Sequence, residues 1–333
     1  MLNWHALHGD YNEVVRVSPT CVFINNAEAW RGYSLLWFAH HEAVSGTTID
    51  LSRCMNFTNF DVIGSLCFGE SFNALENENY GFWIANLFQG LKVGRMFRVL
   101  RAYPIVGHPL LSFPQLFPAL ARARQRHTEY TKNKTARQLD TPSDCETSAT
   151  FLSGAAFYLL KDAAWIKKLQ HGIRTRLCDE SKISFLALGR LKTLNTVIQV
   201  TFRLYSPVPT MPPRLVSEGG AVINSVFIPA RTRIGVAQYL ACHSSHNFTD
   251  PERFAPERFL GHPKFQDDKR TVIQPFSTGP SNCVGQDLAW TETQAIMARL
   301  IWHFDMELDK NSLLWNRQKL FILRDKLALT AHG

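Results

Sequence analysis

A ten-residue segment near the C-terminus, residues 276–285, constrains this chain more than any other part of it: Phe-Ser-Thr-Gly-Pro-Ser-Asn-Cys-Val-Gly. It places Cys283 between Gly279 and Gly285, directly before an amphipathic helical pattern. Glycines take backbone conformations that a Cβ forbids and allow close approach to a planar ligand. A cysteine at a helix N-terminus meets the positive end of the helix dipole, which favours the thiolate. The segment therefore predicts a loop that presents a thiolate to a flat, electrophilic ligand, with Phe276 packing beside it.

This loop resembles the haem-binding loop of the cytochrome P450 monooxygenases, in which the cysteine is the axial iron ligand. Residues 56–72 are similar to fungal members of that family that hydroxylate polyketide or terpenoid secondary metabolites. The resemblance implies a single P450-like domain over residues 1–333 and a haem b whose iron is held by the Cys283 thiolate. Taken by itself, Cys283 is also compatible with a buried structural cysteine, the usual state of a single cysteine.

The hydrophobic pattern predicts a mainly α fold with a small β region. Apolar residues recur at helical spacing in several segments, which are 57–67, 82–100, 150–160, 164–177, 191–204 and 290–304. Strand-like runs lie at 14–17, 21–24, 222–228 and 232–236, and a terminal hairpin is expected at 321–329. Proline cannot continue a helix, so Pro207 and Pro209 fix the end of the helix at 191–204.

Length and composition limit the class of protein. With 333 residues and 45% hydrophobic content, the chain can bury a large core. Its seven cysteines are scattered and form no C-x-x-C pair, which predicts free thiols in a reducing, intracellular compartment. No apolar run reaches the roughly 18 residues that span a bilayer, and the N-terminus has no signal-peptide pattern. Eukaryotic members of the resembled family are anchored in the endoplasmic-reticulum membrane, so we expect a relative that lacks the N-terminal anchor and two internal blocks.

The net charge of +8 is concentrated in a run of basic residues at 122–137. Such a run forms a solvated helix face in most proteins, and it also suits an acidic protein partner or a peripheral membrane surface. Nucleic acid is not favoured, because the run has no recognisable binding motif. The resemblance implies NADPH–cytochrome P450 reductase as the acidic partner and NADPH as the indirect source of electrons.

Two further segments match the resembled family in residues that serve the haem. Glu146 and Thr147, followed by Ser148, stand where the family carries an acid and a hydroxyl that pass protons during oxygen activation. Without the resemblance, this run would be interpreted as a helix cap or a solvated turn. Arg214 corresponds to an arginine that binds a haem propionate through a charge-assisted contact. By itself, Arg214 would be interpreted as a surface residue.

The family also carries a glutamate and an arginine one helical turn apart, joined by a second arginine downstream. Here Arg203 is the first arginine and Arg258 the second, but Val200 stands at the position of the glutamate. Removing one member of a buried charge network leaves the others unpaired, at a cost of about 3–5 kcal/mol. Three alternatives remain open: the region is wetter, another acceptor replaces the glutamate, or the fold is weakened.

Other departures from the family lie at Ser281, where a basic residue is usual, and at Ser143 and Asp144, where two small residues leave room for dioxygen. Trp30 and Arg31 are the nearest match to a second propionate clamp, with altered spacing. These features leave two hypotheses. One is a haem-dependent monooxygenase that hydroxylates or oxidises a lipophilic small molecule in secondary-metabolite biosynthesis. The other is a non-catalytic relative that binds haem weakly or not at all. A haem protein that isomerises or dehydrates its substrate without a reductase is a third possibility.

Overall fold

The structure is a computed structural model that describes residues 14–18, 21–24, 48–68, 72–78, 125, 145–210, 213–318 and 326–332. The chain divides into two compact units, one formed by residues 1–5, 30–56 and 144–333 and the other by residues 6–29 and 57–143. The described residues are mainly helical with a few small antiparallel sheets, as the hydrophobic pattern predicted. A single domain over the whole chain stays a prediction.

Most of the described helices lie in the second half of the chain, and their bounds follow in chain order. They are α1 Leu51–Phe68, α2 Cys145–Lys161, α3 Ala163–Arg176, α4 Phe185–Gly189, α5 Lys192–Leu204, α6 Gln238–Cys242 and α7 Gln286–His303. The predicted helices at 57–67, 150–160, 164–177, 191–204 and 290–304 all lie within or largely within these elements. The predicted helix at 82–100 and the basic run at 122–137 fall outside the described residues, apart from residue 125.

The strands are short and pair antiparallel. They are β1 Val14–Ser18, β2 Cys21–Ile24, β3 Ile49–Asp50, β4 Arg214–Leu215, β5 Ala221–Ile223, β6 Val226–Ile228, β7 Arg233–Ile234, β8 Glu307–Leu308 and β9 Thr330–His332. β1 pairs with β2, β4 with β7 and β5 with β6, while β9 lies between β3 and β8. The terminal strand β9 begins at residue 330 and pairs with β3 and β8, whereas residues 321–325 of the predicted terminal hairpin lie outside the described residues.

One predicted strand is wrong. The apolar run 222–228 is not a single strand but the two arms of the β5–β6 hairpin. Asn224 and Ser225 form its turn with φ angles of 48° and 64°, in the left-handed region that asparagine tolerates better than most residues. Side-chain alternation along the run does not reveal the turn. The residues on either side of the turn are extended, just as they would be in one long strand.

Helix α5 is central to the larger unit. It packs against α2, α3, α4, α6 and α7 and against the 3₁₀ turn Pro256–Phe259. Leu194, Val197 and Ile198 are fully buried, as helical spacing of apolar residues requires. The helix ends at Leu204, three residues before Pro207, as the prolines predicted. Because α5 packs against six other elements, its last turn provides a rigid support for the segments that contact it.

In the smaller unit, residues 57–62 of α1 are buried and form the described core. Asp61 is buried there, and its two carboxylate oxygens accept hydrogen bonds from the backbone N–H groups of Ala74 and Leu75, each at 2.9 Å. Both acceptor atoms of the carboxylate are therefore satisfied, which offsets the cost of burying its charge.

Throughout the described ranges, no helix has both the length and the apolar character that crossing a membrane demands.

Candidate functional site

The segment 276–285 forms a tight loop immediately before α7. The N–H of Cys283 donates to the carbonyl oxygen of Phe276 at 2.9 Å, which closes the loop across seven residues. Gly279 has a φ of +70°, a left-handed conformation that favours glycine. Gly285 caps α7 with an ordinary φ of −87°, and a Cβ built on it would lie 3.9 Å from the Cys283 Sγ. The loop therefore needs a glycine conformation at Gly279, whereas close approach of a planar ligand at Gly285 stays a prediction.

An aromatic cluster holds the N-terminal end of this loop. The ring of Phe276 meets that of Phe202 edge-to-face, with 5.2 Å between the ring centroids. Phe202 also stacks on Trp290 of α7 at 5.8 Å and contacts Phe151 of α2 at 4.0 Å. Aromatic pairs at these separations stabilise by about 0.5–1.5 kcal/mol beyond the area that they bury. Phe276 therefore does pack beside the loop, and its partner comes from the end of α5.

The thiol of Cys283 is exposed at this loop and forms no disulfide. Val284, the next residue, is likewise completely exposed, so an apolar side chain flanks the thiol at the surface. Cysteine sulfur is a soft ligand for iron, and an exposed free cysteine on a loop held by backbone and ring contacts would be chemically suited to hold a haem iron. The buried structural cysteine that remained an alternative for Cys283 does not describe this structure.

Arg203 is completely buried at the end of α5, and its guanidinium is held by backbone carbonyls. Nη1 donates to the oxygens of Cys242 and Pro251 at 2.9 and 2.6 Å. Nη2 donates to the oxygen of Arg253 at 2.9 Å. Burial, and next the charge of Arg258, lower the pKa of Arg203 to about 10. The two cations are therefore close enough to repel each other in a region away from solvent.

Arg258 is completely buried as well, and a carboxylate pairs with it. Its Nη1 forms an ion pair with the Oδ2 of Asp268, and both side chains are fully buried. Its Nη2 donates to the carbonyl oxygens of Thr249 and Asp250 at 3.0 and 3.2 Å. The guanidinium also lies 4.2 Å from the ring centroid of Phe265, within the range of a cation–π contact.

Two buried donors of this arginine network lack a hydrogen-bond partner among the described residues. Val200 is fully buried, and because its side chain is apolar it offers no hydrogen-bond acceptor to either arginine. The Nε of Arg203 and the Nε of Arg258 are both buried without a hydrogen-bond partner among the described residues. Of the three alternatives raised by Val200, the wetter region is not what the structure contains, because both guanidinium groups are excluded from solvent. Other acceptors, namely backbone carbonyls and Asp268, take most of the donors.

The predicted proton-relay residues lie at the start of α2, which begins at Cys145. Thr147 is half-buried and Ser148 is buried. The side chain of Glu146 lies outside what the structure describes, as do Ser143, Asp144, Trp30 and Arg31. Glu292 of α7, which the sequence argument did not consider, is buried against Ser148 and hydrogen-bonded to it. Burial raises the pKa of Glu292 to about 8, so this carboxyl group is largely protonated at neutral pH.

Arg214 lies on β4, paired with Ile234 of β7, and is exposed. Ser281 is exposed on the 3₁₀ turn Gly279–Ser281 inside the cysteine loop. The structure thus joins Phe276, Gly279, Cys283 and Gly285 in one loop, and it joins Arg203 and Arg258 in one buried network. Roles of Glu146, Thr147 and Arg214 toward a haem stay predictions.

Comparison with known proteins identifies the family of this chain. The family model described as Cytochrome P450 matches residues 145–330, more than half of the chain. The chain is 35% identical to Cytochrome P450 monooxygenase astA of Talaromyces wortmannii, over 86% of this chain and 64% of that protein. It is 34% identical to averantin hydroxylase of Dothistroma septosporum, over 85% and 60% of the two chains. It is 32% identical to averantin hydroxylase of Aspergillus parasiticus, over 98% and 74%.

The chain therefore belongs to the cytochrome P450 family, as residues 276–285 predicted. It spans less than two thirds of the length of astA and of the Dothistroma septosporum protein.

Proposed function

We propose that this chain is a haem-dependent monooxygenase that hydroxylates or oxidises a lipophilic small molecule in fungal secondary-metabolite biosynthesis. The observation that carries the proposal is the Cys283 loop, which exposes a free thiol beside Val284 on a backbone closed by the Cys283–Phe276 hydrogen bond. Two relatives named averantin hydroxylase support hydroxylation as the type of reaction.

Each residue of the loop has a distinct part in this proposal. Haem b, when bound, supplies oxygen activation, and a thiolate ligand favours that chemistry. Cys283 would hold the iron, while Gly279 lets the chain turn and Phe276 fixes the loop against α5. On α2, the hydroxyl of Thr147 and the carboxyl of Glu146 would hold and move protons.

Further binding groups complete the proposed site and its partners. The exposed guanidinium of Arg214 suits a haem propionate, because arginine binds carboxylates through two parallel hydrogen bonds. NADPH–cytochrome P450 reductase would deliver the electrons to a basic surface, in line with the net charge of +8. The same charge suits association with an anionic membrane, such as that of the endoplasmic reticulum.

The test is the absorbance spectrum of the reduced protein with carbon monoxide, after expression with ample haem precursor. We expect the red-shifted band of thiolate-ligated haem in the original chain and its complete loss in Cys283→Ala. Cys178→Ala is the matched control, since Cys178 is also an exposed free thiol and should leave the band unchanged. A band that survives Cys283→Ala would refute the assignment of the iron ligand. Turnover with and without NADPH then separates monooxygenation from isomerisation or dehydration.

The second candidate is a non-catalytic relative with weak or no haem binding. The buried, unpartnered Nε atoms of Arg203 and Arg258 favour it, because unsatisfied donors weaken the scaffold behind the loop. A protein that folds cooperatively but stays colourless under the same expression conditions would establish this candidate and exclude the monooxygenase.

A further inference from the structure

Two buried cations, Arg203 and Arg258, share one described carboxylate. Arg203 and Arg258 are each completely buried, and both guanidinium groups approach the ring of Phe248, at 5.2 and 6.0 Å from its centroid. Burying an unbalanced charge costs several kcal/mol, and the cost is higher when two like charges are adjacent. The pair therefore requires a counter-charge, and Val200 cannot supply it.

Asp268 has the geometry of that counter-charge. One of its carboxylate oxygens pairs with Arg258, and the other accepts the backbone N–H of Thr249 at 2.8 Å. Its side chain is fully buried, so both interactions are shielded from solvent. Its negative charge also acts on Arg203, whose pKa it raises against the larger lowering effects of burial and Arg258.

The same residue connects the arginine network with the approach to Cys283. Both arginines donate to carbonyl oxygens within residues 249–253, and Asp268 accepts from the N–H of Thr249 in that segment. Directly after Asp268, the N–H of Lys269 donates to the oxygen of Asn247 at 2.8 Å. The chain then runs through residues 270–275 into the loop that begins at Phe276. The start of that approach is thus fixed to the arginine-bound segment.

We propose that Asp268 supplies the buried counter-charge that position 200 lacks in this chain, and that it thereby positions the segment leading into the Cys283 loop. Asp268 lies on a loop 68 residues beyond position 200, on the opposite side of the two arginines in chain order. This assignment concerns the folded scaffold and holds whether or not the chain binds haem.

The first experiment measures the unfolding of the full-length chain in urea. In Asp268→Asn, an amide N–H₂ faces Arg258 or the N–H of Thr249 in place of a carboxylate, and we expect the unfolding equilibrium constant to rise about 100-fold. Asp267→Asn is the matched control, because Asp267 is the exposed neighbour and its substitution removes the same charge. We expect a change of less than threefold for the control. Equal effects of the two substitutions would overturn the proposal.

The second experiment tests charge compensation directly by restoring a carboxylate at position 200. Val200→Glu should recover at least tenfold of the loss in Asp268→Asn, since the new carboxylate lies one turn before Arg203. Val200→Gln has nearly the same volume without the charge and should recover none of it. Rescue by both variants, or by neither while both fold, would contradict a counter-charge role.

A third measurement keeps the proposal testable if the larger side chains at position 200 prevent folding. Arg258→Gln and Asp268→Asn are then combined, and the pair should be strongly non-additive because each substitution removes the same ion pair. Additive effects would refute the pairing.

The positioning role is tested by hydrogen exchange in Asp268→Asn under native conditions. We expect faster exchange of the Thr249 and Cys283 amides with little change in α3. A uniform increase across the molecule would instead mean that Asp268 only adds global stability.

Discussion

Glu292 gives the sharpest test of the packing between the helix that follows the cysteine loop and the helix that carries Thr147. The Glu292 side chain is buried, with the residue only 2% exposed, and its carboxyl group is hydrogen-bonded to Ser148. The Oε1 atom has no hydrogen-bond partner within the described ranges. A carboxylate would be costly in this environment, so the folded protein retains the proton. The substitution Glu292→Gln keeps the shape of the side chain and removes its ability to ionise.

The magnitude follows from the pKa of Glu292, which burial raises from 4.5 to about 8. At about 1.4 kcal/mol for each unit of pKa difference between folded and unfolded chains, this gap corresponds to about 5 kcal/mol. The folded state binds the proton more tightly, so the stabilisation is fully present below pH 4.5. It is lost as the pH rises from 4.5 through about 8. The free energy of unfolding should therefore fall with rising pH across this interval.

Urea denaturation followed by far-ultraviolet circular dichroism at several pH values between 5 and 8 measures this slope. We expect the original chain to lose several kcal/mol more than Glu292→Gln across the interval. Glu307→Gln is the control, because Glu307 is an exposed glutamate on β8 and its substitution should leave the slope unchanged. Comparison between variants cancels the contributions of all ionisable groups that the variants share. Parallel curves for the original chain and Glu292→Gln would refute a buried, protonated Glu292.

Two stability predictions concern the helices around this region. Gly154→Ala should destabilise by about 1–3 kcal/mol despite the better helix propensity of alanine, because the new Cβ would lie 2.6 Å from Cγ of the Tyr205 ring. The melting temperature and urea denaturation check this, and a variant as stable as the original chain would contradict the clash. Asp162→Ala should cost about 1 kcal/mol in urea denaturation, because the Asp162 carboxylate caps α3 by accepting the N–H of Trp165 at 3.1 Å. Asp162→Asn keeps an acceptor and should cost less. Equal losses in the two variants would contradict capping.

Local sequence signals predicted the helices and the cysteine loop well because those features depend on neighbouring residues. Helical spacing and the prolines after α5 fixed the bounds of that helix, and the glycines around Cys283 indicated a turn. The counter-charge at Asp268 was not predictable in this way. It lies in an irregular segment 65 residues from Arg203 in sequence, and only the folded chain brings the two near each other. The one available signal was the missing acceptor at Val200, which indicated that some other group was needed.

Glu292 was missed for a related reason. A glutamate within an amphipathic helix usually faces solvent, and the sequence of α7 contains no mark that distinguishes a buried position from an exposed one. In the folded chain it is hydrogen-bonded to Ser148 on α2, so the decisive information lies on a different helix. The β5–β6 hairpin was missed for a different reason. Its turn residues, Asn224 and Ser225, are typical of turns, but they lie inside an otherwise apolar run, which predicted one continuous strand.

The last turn of α5 explains how an ordered cysteine loop is compatible with valine at position 200. Successive helix residues point about 100° apart, so Phe202 and Arg203 contact different segments. Phe202 packs on Phe276 at the start of the loop, and Arg203 binds the carbonyl oxygens of Pro251 and Arg253. These two anchors are fixed relative to each other by the helix backbone itself. A carboxylate at position 200 would add hydrogen-bond acceptors near Arg203, but the loop and the arginine-bound segment already share one rigid support without it.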